Sequence, residues 1–152
     1  MFSNNMMKIV CNVIDLNKTF FGTGKRKTSI AKVLLRKGLG KIIINNKSFK
    51  NYFPFFLKIC NILKIIKLNN NLSCFDIFIV VRGGGYESQY SAICFGVSHA
   101  FLNYIYCLYK DLFIEFKKNL RNLGFVARDT RIVERKKFGF RKSRKKKQYS
   151  KR

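Results

Sequence analysis

The chain has 152 residues, 47% of them hydrophobic, and its 32 Lys and Arg against seven Asp and Glu give a net charge of +25. That apolar content suits one packed domain and excludes a chain disordered throughout. So large a cationic excess repels itself in a compact state and calls for a polyanionic partner, with nucleic acid first and an anionic membrane surface second.

Residues 1–19 open with "MFSNNMMKIVCNVIDLNK", which has no Arg and a single Lys before residue 18. Its apolar run is too short for a signal peptide, and it is not an Arg-rich transit helix. "KIVCNVI" reads as an extra strand or as the remnant of a leader. No stretch reaches about 18 uninterrupted apolar residues, so no membrane span is expected.

"FFGTGKRKTSIAKVLL", residues 20–35, has the look of a phosphate-cradling loop. The Walker pattern needs Gly-Lys followed by Ser or Thr between a strand and a helix. Here Gly24-Lys25 is followed by Arg26, and residues 28–36 alternate as a strand does. Ala31, Val33 and Leu35 point one way; Ile30, Lys32, Leu34 and Arg36 point the other. "KGLGK" reads as a turn and 41–45 as a second strand, so 28–45 is expected to be a hairpin. The glycines before Lys25 allow close approach of backbone to something.

In 54–68, "PFFLKICNILKIIKL", the polar spacing predicts a helix with a broad buried face, opened by Pro54 and ended by "NNN" at 69–71. "FDIFIVV", 75–81, predicts a buried strand that runs into Arg82 and the glycines Gly83, Gly84 and Gly85. A long, mostly buried helix is expected to start near Ser88, and a further helix over about 110–123, closed by Gly124 as a left-handed cap. The Arg-Gly-Gly-Gly run has the right place for phosphate binding at a helix N-terminus. It lacks the dinucleotide glycine spacing, so close backbone packing is an equally good reading.

After Glu134 the composition breaks: residues 135–152 carry eleven Lys or Arg, no acid and no aliphatic side chain. Such a segment cannot bury enough apolar surface to order itself and is expected to be a loose, extended tail. Phe138, Phe140 and Tyr149 within it could stack on bases.

Catalytic groupings are missing. The single histidine, His99, falls on an apolar helix face, and the seven acids are dispersed. Asp129 and Glu134 sit among Arg128, Arg131 and Arg135, where local ion pairs or capping account for them. The five cysteines, at 11, 60, 74, 94 and 107, have no zinc spacing and read as free thiols of a reducing compartment. No metal, cofactor or small-molecule substrate is expected. A phosphate-loop enzyme and a basic protein that coats DNA remain as alternatives to an RNA binder. The abundance of Phe, Ile, Asn and Lys is what an A+T-rich coding sequence yields, which suggests an organelle or a reduced bacterial genome.

The motifs "GTGKRKTSIAKV", "GKIIIN", "VRGGGYESQYSAI" and "GFVARDTRIVERKKFGFRKSRKKKQYSKR", in this order and at these separations, closely resemble the family of small-subunit ribosomal protein nine, bacterial type. The similarity covers about 20–152 and is weaker over 48–72 and 100–120. The resemblance implies a two-layer α+β domain over 20–134: a four-stranded sheet with helices on one side, of the ribosomal protein S5 domain 2-like kind. An extended tail over 135–152 follows. It implies no enzymatic activity. It implies ribosomal RNA contacts at Lys25, Arg26, Lys27, Lys32, Arg82, Gly83, Gly84, Gly85, Arg128, Arg131, Arg135, Lys136, Lys137, Arg141, Lys142, Arg144, Lys145, Lys146 and Lys147. It implies a transfer RNA contact at the peptidyl site through Ser150, Lys151 and Arg152. Neighbouring small-subunit proteins are the other implied partners. With the residue bias, it places the chain in an organellar ribosome, plastid or apicoplast first, with a mitochondrion or an A+T-rich bacterium as alternatives. Family members commonly start near the "GTG" motif, which leaves 1–19 as an unassigned extension.

Overall fold

A computed structural model describes residues 19–53 and 75–151. The expected helix over 54–68 and the possible strand in 1–19 lie outside the described residues. Five strands, β1 (Phe20–Arg26), β2 (Ser29–Lys37), β3 (Ile42–Ile44), β4 (Lys47–Ser48) and β5 (Phe75–Arg82), form one mixed sheet in the order β1-β2-β5-β3-β4. The helices are α1 (Phe49–Tyr52), α2 (Tyr86–Leu108) and α3 (Lys110–Asn122). The α+β class is as expected. The four-stranded sheet is corrected to five by the two-residue β4, which pairs with β3 across Asn45 and Asn46. Both asparagines have positive φ, +46° and +64°. That is the backbone a two-residue hairpin turn demands, and one that asparagine tolerates.

The expected 28–45 hairpin does not form. β2 pairs antiparallel with β1 on one side and β5 on the other. β3 lies beyond β5 and runs parallel to it. Residues 38–41 therefore cross the end of β5 instead of turning back on β2. The N–H groups of Leu39 and Lys41 donate to Asp76 Oδ1 at 2.9 and 2.8 Å, which satisfies a crossing that no ladder could. A glycine-rich connection signals a change of direction, but not whether a strand is skipped.

Strand alternation places Phe20, Ala31, Val33, Leu35, Ile77, Ile79 and Val81 in the core. α2 covers that face and begins at Tyr86, two residues before Ser88, with Gly85 at its N-cap. It is long and apolar enough to cross a membrane by length and composition, and its burial against the sheet accounts for that apolar character. The glycines of β1 explain how closely it sits. A Cβ on Gly22 would lie 2.1 Å from the Gly96 carbonyl, and one on Gly24 would lie 1.9 Å from the Ala92 carbonyl. The backbone that approaches these glycines is the protein's own helix.

α3 packs on α2 through Leu120, which is fully buried. It ends as expected. Gly124 has φ +77°, its N–H donates to the Arg121 carbonyl, and the Phe125 N–H donates to the Leu120 carbonyl. This is the paired bonding of a Schellman cap.

Candidate nucleic-acid interface

The strand register brings the two glycine-and-base motifs to one end of the sheet. Lys25 pairs with Ile30 and Ile30 with Arg82, so both cations stand in one cross-strand row. The β1–β2 turn is Lys27-Thr28, with Lys27 held at φ +50°. A left-handed lysine is uncommon and costs energy. Ser29 Oγ donates to the Gly83 carbonyl at 2.9 Å and lies 2.8 Å from Ser88 Oγ. Ser88 Oγ reaches the Gly85 carbonyl at 2.9 Å. A Cβ on Gly84 would meet Ser29 Oγ at 2.1 Å, and Gly83 and Gly84 both have positive φ. These two glycines are thus needed for the chain's own packing, while Gly85 faces open space.

After α3 the chain returns to this end. Arg26 Nη1 lies 2.5 Å from Asp129 Oδ2, and the Arg131 guanidinium meets the same carboxylate at 2.8 Å. Hydrogen bonds from the Arg131 side chain, then from its backbone N–H, hold the Asp129 carboxyl far below the usual carboxylate range, with Arg26 adding to the effect. The expected local ion pair at Asp129 is therefore present, and it reaches further than expected. The expected contacts Lys25, Lys27, Arg82, Arg128 and Arg131 are exposed around this end, and Lys32 is exposed on the adjoining sheet face. Arg26 differs: it is half-buried and its charge is matched by Asp129.

Arg135, Lys136, Lys137, Arg141, Lys142, Lys145, Lys146, Lys147, Ser150 and Lys151 are all exposed along the tail. Arg152 lies outside the described residues. The tail is not a uniform ribbon. An isolated bridge joins Phe140 to Lys146, and the Arg141 N–H donates to the Lys145 carbonyl at 2.7 Å. Arg144 closes this loop onto Glu134 with two hydrogen bonds, at 3.0 and 2.5 Å, which lower the Glu134 carboxyl pKa. Phe138 and Tyr149 are fully solvent-facing, whereas Phe140 is half-buried in the turn.

Sequence reasoning missed the groups that fix this geometry: Ser29, Ser88, Asp76 and Asn45. Asn45 exchanges two side-chain bonds of 3.0 Å with the Val81 backbone and so continues the ladder past β3. Each makes a long-range contact, and nothing in its sequence neighbourhood marks it.

Among the described residues of this end, none are arranged as a reaction centre. Among the described residues no three His, Cys, Asp or Glu side chains are grouped to hold a metal. His99 is half-buried and burial lowers its pKa, so it is neutral near pH 7. The arrangement is that of an exposed cationic surface on a small α+β body.

The chain matches the model of the family "Ribosomal protein S9/S16" over residues 24–152. It is 42% identical to the small ribosomal subunit protein uS9 of Rickettsia typhi over 147 residues, covering 97% of this chain and 86% of that protein. The uS9 proteins of Rickettsia prowazekii and Rickettsia conorii are 41% and 45% identical, covering 97% and 91% of this chain. The chain belongs to the S9 family of ribosomal proteins. That family is one of structural components and not of enzymes. Matches covering 97% of the chain take in most of residues 1–19. The extension, unassigned on sequence grounds, therefore has a counterpart in these relatives.

Proposed function

We propose that the chain is a structural constituent of the small ribosomal subunit, that it binds ribosomal RNA in the subunit head, and that its C-terminus reaches the transfer RNA in the peptidyl site. The observation that carries this reading is the convergence of Lys25, Lys27, Arg82 and the Arg128–Arg131 segment at one end of the sheet, from which the basic tail departs. Charge clustered in this way releases counterions from an RNA backbone. The globular unit is 20–134, of the S5 domain 2-like kind, and 135–152 acts as a separate arm. Gly85, which faces open space, lets this end approach phosphates, with the exposed Gly83 and Gly84 beside it. Neighbouring small-subunit proteins complete the environment. The named relatives are bacterial, which supports the A+T-rich bacterial alternative; the plastid attribution rests on residue bias alone.

The test is a chain lacking residues 150–152, incorporated into small subunits. Assembly should stay near normal while transfer RNA binding at the peptidyl site weakens. Equal binding by both subunits would refute the tail assignment. Replacing Lys25, Lys27 and Arg82 together by Ala should instead impair RNA binding and incorporation. If the intact chain bound duplex DNA as tightly as structured ribosomal RNA at physiological salt, the ribosomal reading would give way to simple charge attraction.

A further inference from the structure

The second face of the sheet is uncovered by any described element. α2 occupies the side of Gly22, Gly24 and Val33, and the other side keeps Phe21 at 62% exposure, Val80 at 51%, Ile30 at 43% and Phe78 at 38%. Cross-strand partners point to the same side, so the register sorts this face into rows. Phe21, Leu34, Phe78 and Ile43 form one row across β1, β2, β5 and β3. The next row toward the basic end is Thr23, Lys32 and Val80, and the one after it is Lys25, Ile30 and Arg82. On the far side Arg36 pairs with Asp76, whose Oδ1 already accepts two loop N–H groups.

We propose that this face is a stacking platform for unpaired bases of the bound RNA, with Phe21 and Phe78 under two bases and Lys25, Lys32, Arg36 and Arg82 on the flanking phosphates. The two rings stand on strands two places apart, about 10 Å, which is enough to hold separate bases. Open sheets that carry exposed aromatics between cations bind single strands in this manner, because every base has a face to stack and every nucleotide a phosphate to neutralise. Charge complementarity selects RNA over a protein segment as the occupant: four cations and one occupied carboxylate surround the apolar row. The proposal rests on the RNA-binding reading above and adds to it a contact that does not depend on charge.

The test measures binding of the full chain to small-subunit ribosomal RNA transcript at several salt concentrations. Phe21→Ala and Phe78→Ala should each lower affinity about 5- to 150-fold, the equivalent of roughly 1–3 kcal/mol per stacked base. The slope of log affinity against log salt should not change. Lys25→Ala with Lys32→Ala should flatten that slope. Ultraviolet crosslinking of the wild-type complex should map to the Phe21 and Phe78 peptides, and Phe21→Leu should lose that crosslink while its thermal melt stays where it was. If both alanine variants bind as the wild type does, and no crosslink falls on β1 or β5, the platform is wrong and the RNA-binding reading survives. Crosslinks from this face to a neighbouring protein in assembled subunits would also overturn it. If the intact chain does not bind the transcript at all, both readings fall.

Discussion

Arg26 on the last position of β1 and Asp129 beyond α3 are joined at 2.5 Å although more than a hundred residues separate them. The cation that breaks the phosphate-loop pattern after Gly24-Lys25 is a post to which the tail's approach is tied. Its side chain and that of Asp129 are each 24% exposed, so removing the carboxylate leaves a partly desolvated guanidinium without its partner. Asp129→Asn should therefore loosen residues 125–131. Hydrogen exchange over that segment should accelerate, while β1 and β2 exchange as before. Unchanged exchange would mean the pair is incidental.

The same attachment should be sensitive to acid. Arg131 holds the Asp129 carboxyl below its ordinary range, and Arg144 does the same for Glu134. For carboxylates depressed in the folded state, the stabilisation is fully present above the unfolded value, about 4, and is lost as pH falls through the lower folded values. Limited proteolysis at pH 6 and at pH 3 in low salt should show the 125–147 segment becoming cleavable before the sheet does. Simultaneous loss of both would count against local pairing. Because these groups are solvent-accessible, high salt should shrink the difference at pH 6.

Much of the sheet was legible because its signal is local. The alternation in 28–36 and the apolar run at 75–81 each report burial by their own spacing, and Gly124 reports a helix end by its own backbone freedom. What failed was connectivity. The 38–41 crossing, the β3–β5 pairing and the Ser29–Ser88 contact join residues far apart in the chain, and a turn signal such as "KGLGK" is the same for adjacent and for skipped strands. The basic clusters were visible one by one. Their meeting at one end required the register Ile30–Arg82 and the bridge to Asp129, which composition does not encode.

The glycines of "GTG" are needed for packing, and this can be separated from charge. In Gly24→Ala the new methyl would sit 1.9 Å from the Ala92 carbonyl and 2.4 Å from the Gly96 N–H nitrogen, both backbone atoms that cannot step aside. Overpacking against rigid backbone should cost on the order of 3 kcal/mol or more. Denaturant unfolding should show a large drop in midpoint, and the same for Gly22→Ala. Gly85→Ala, where nothing lies within 4 Å, is the control and should change stability little. A stable Gly24→Ala protein with impaired RNA binding would return this glycine to the ligand site.

Cys94 and Cys107 offer a probe of how tightly α2 is held. Cys94 is 2% exposed and burial pushes its thiol up to about 12, whereas Cys107 is exposed near the helix end. The thiolate is the reactive form, so a native protein should be labelled quickly at Cys107 and at Cys94 only through opening of the fold. Mass-mapped labelling with a disulfide reagent at pH 8 would show this. Comparable rates at the two sites would mean that α2 lifts from the sheet readily.

Lys27 sets stability against binding. At φ +50° a lysine carries strain of about 1–2 kcal/mol that glycine would not, while glycine adds roughly 0.5–1 kcal/mol of chain entropy lost on folding. Lys27→Gly should therefore hold or raise stability, by about 0.5 kcal/mol. It should also remove one phosphate contact, lowering RNA affinity and reducing the salt slope by about 0.7–0.9. Strain kept at an exposed cation is expected where the residue serves the partner and not the fold. A variant that gained stability and bound RNA with an unchanged slope would show that Lys27 holds its backbone for some other reason.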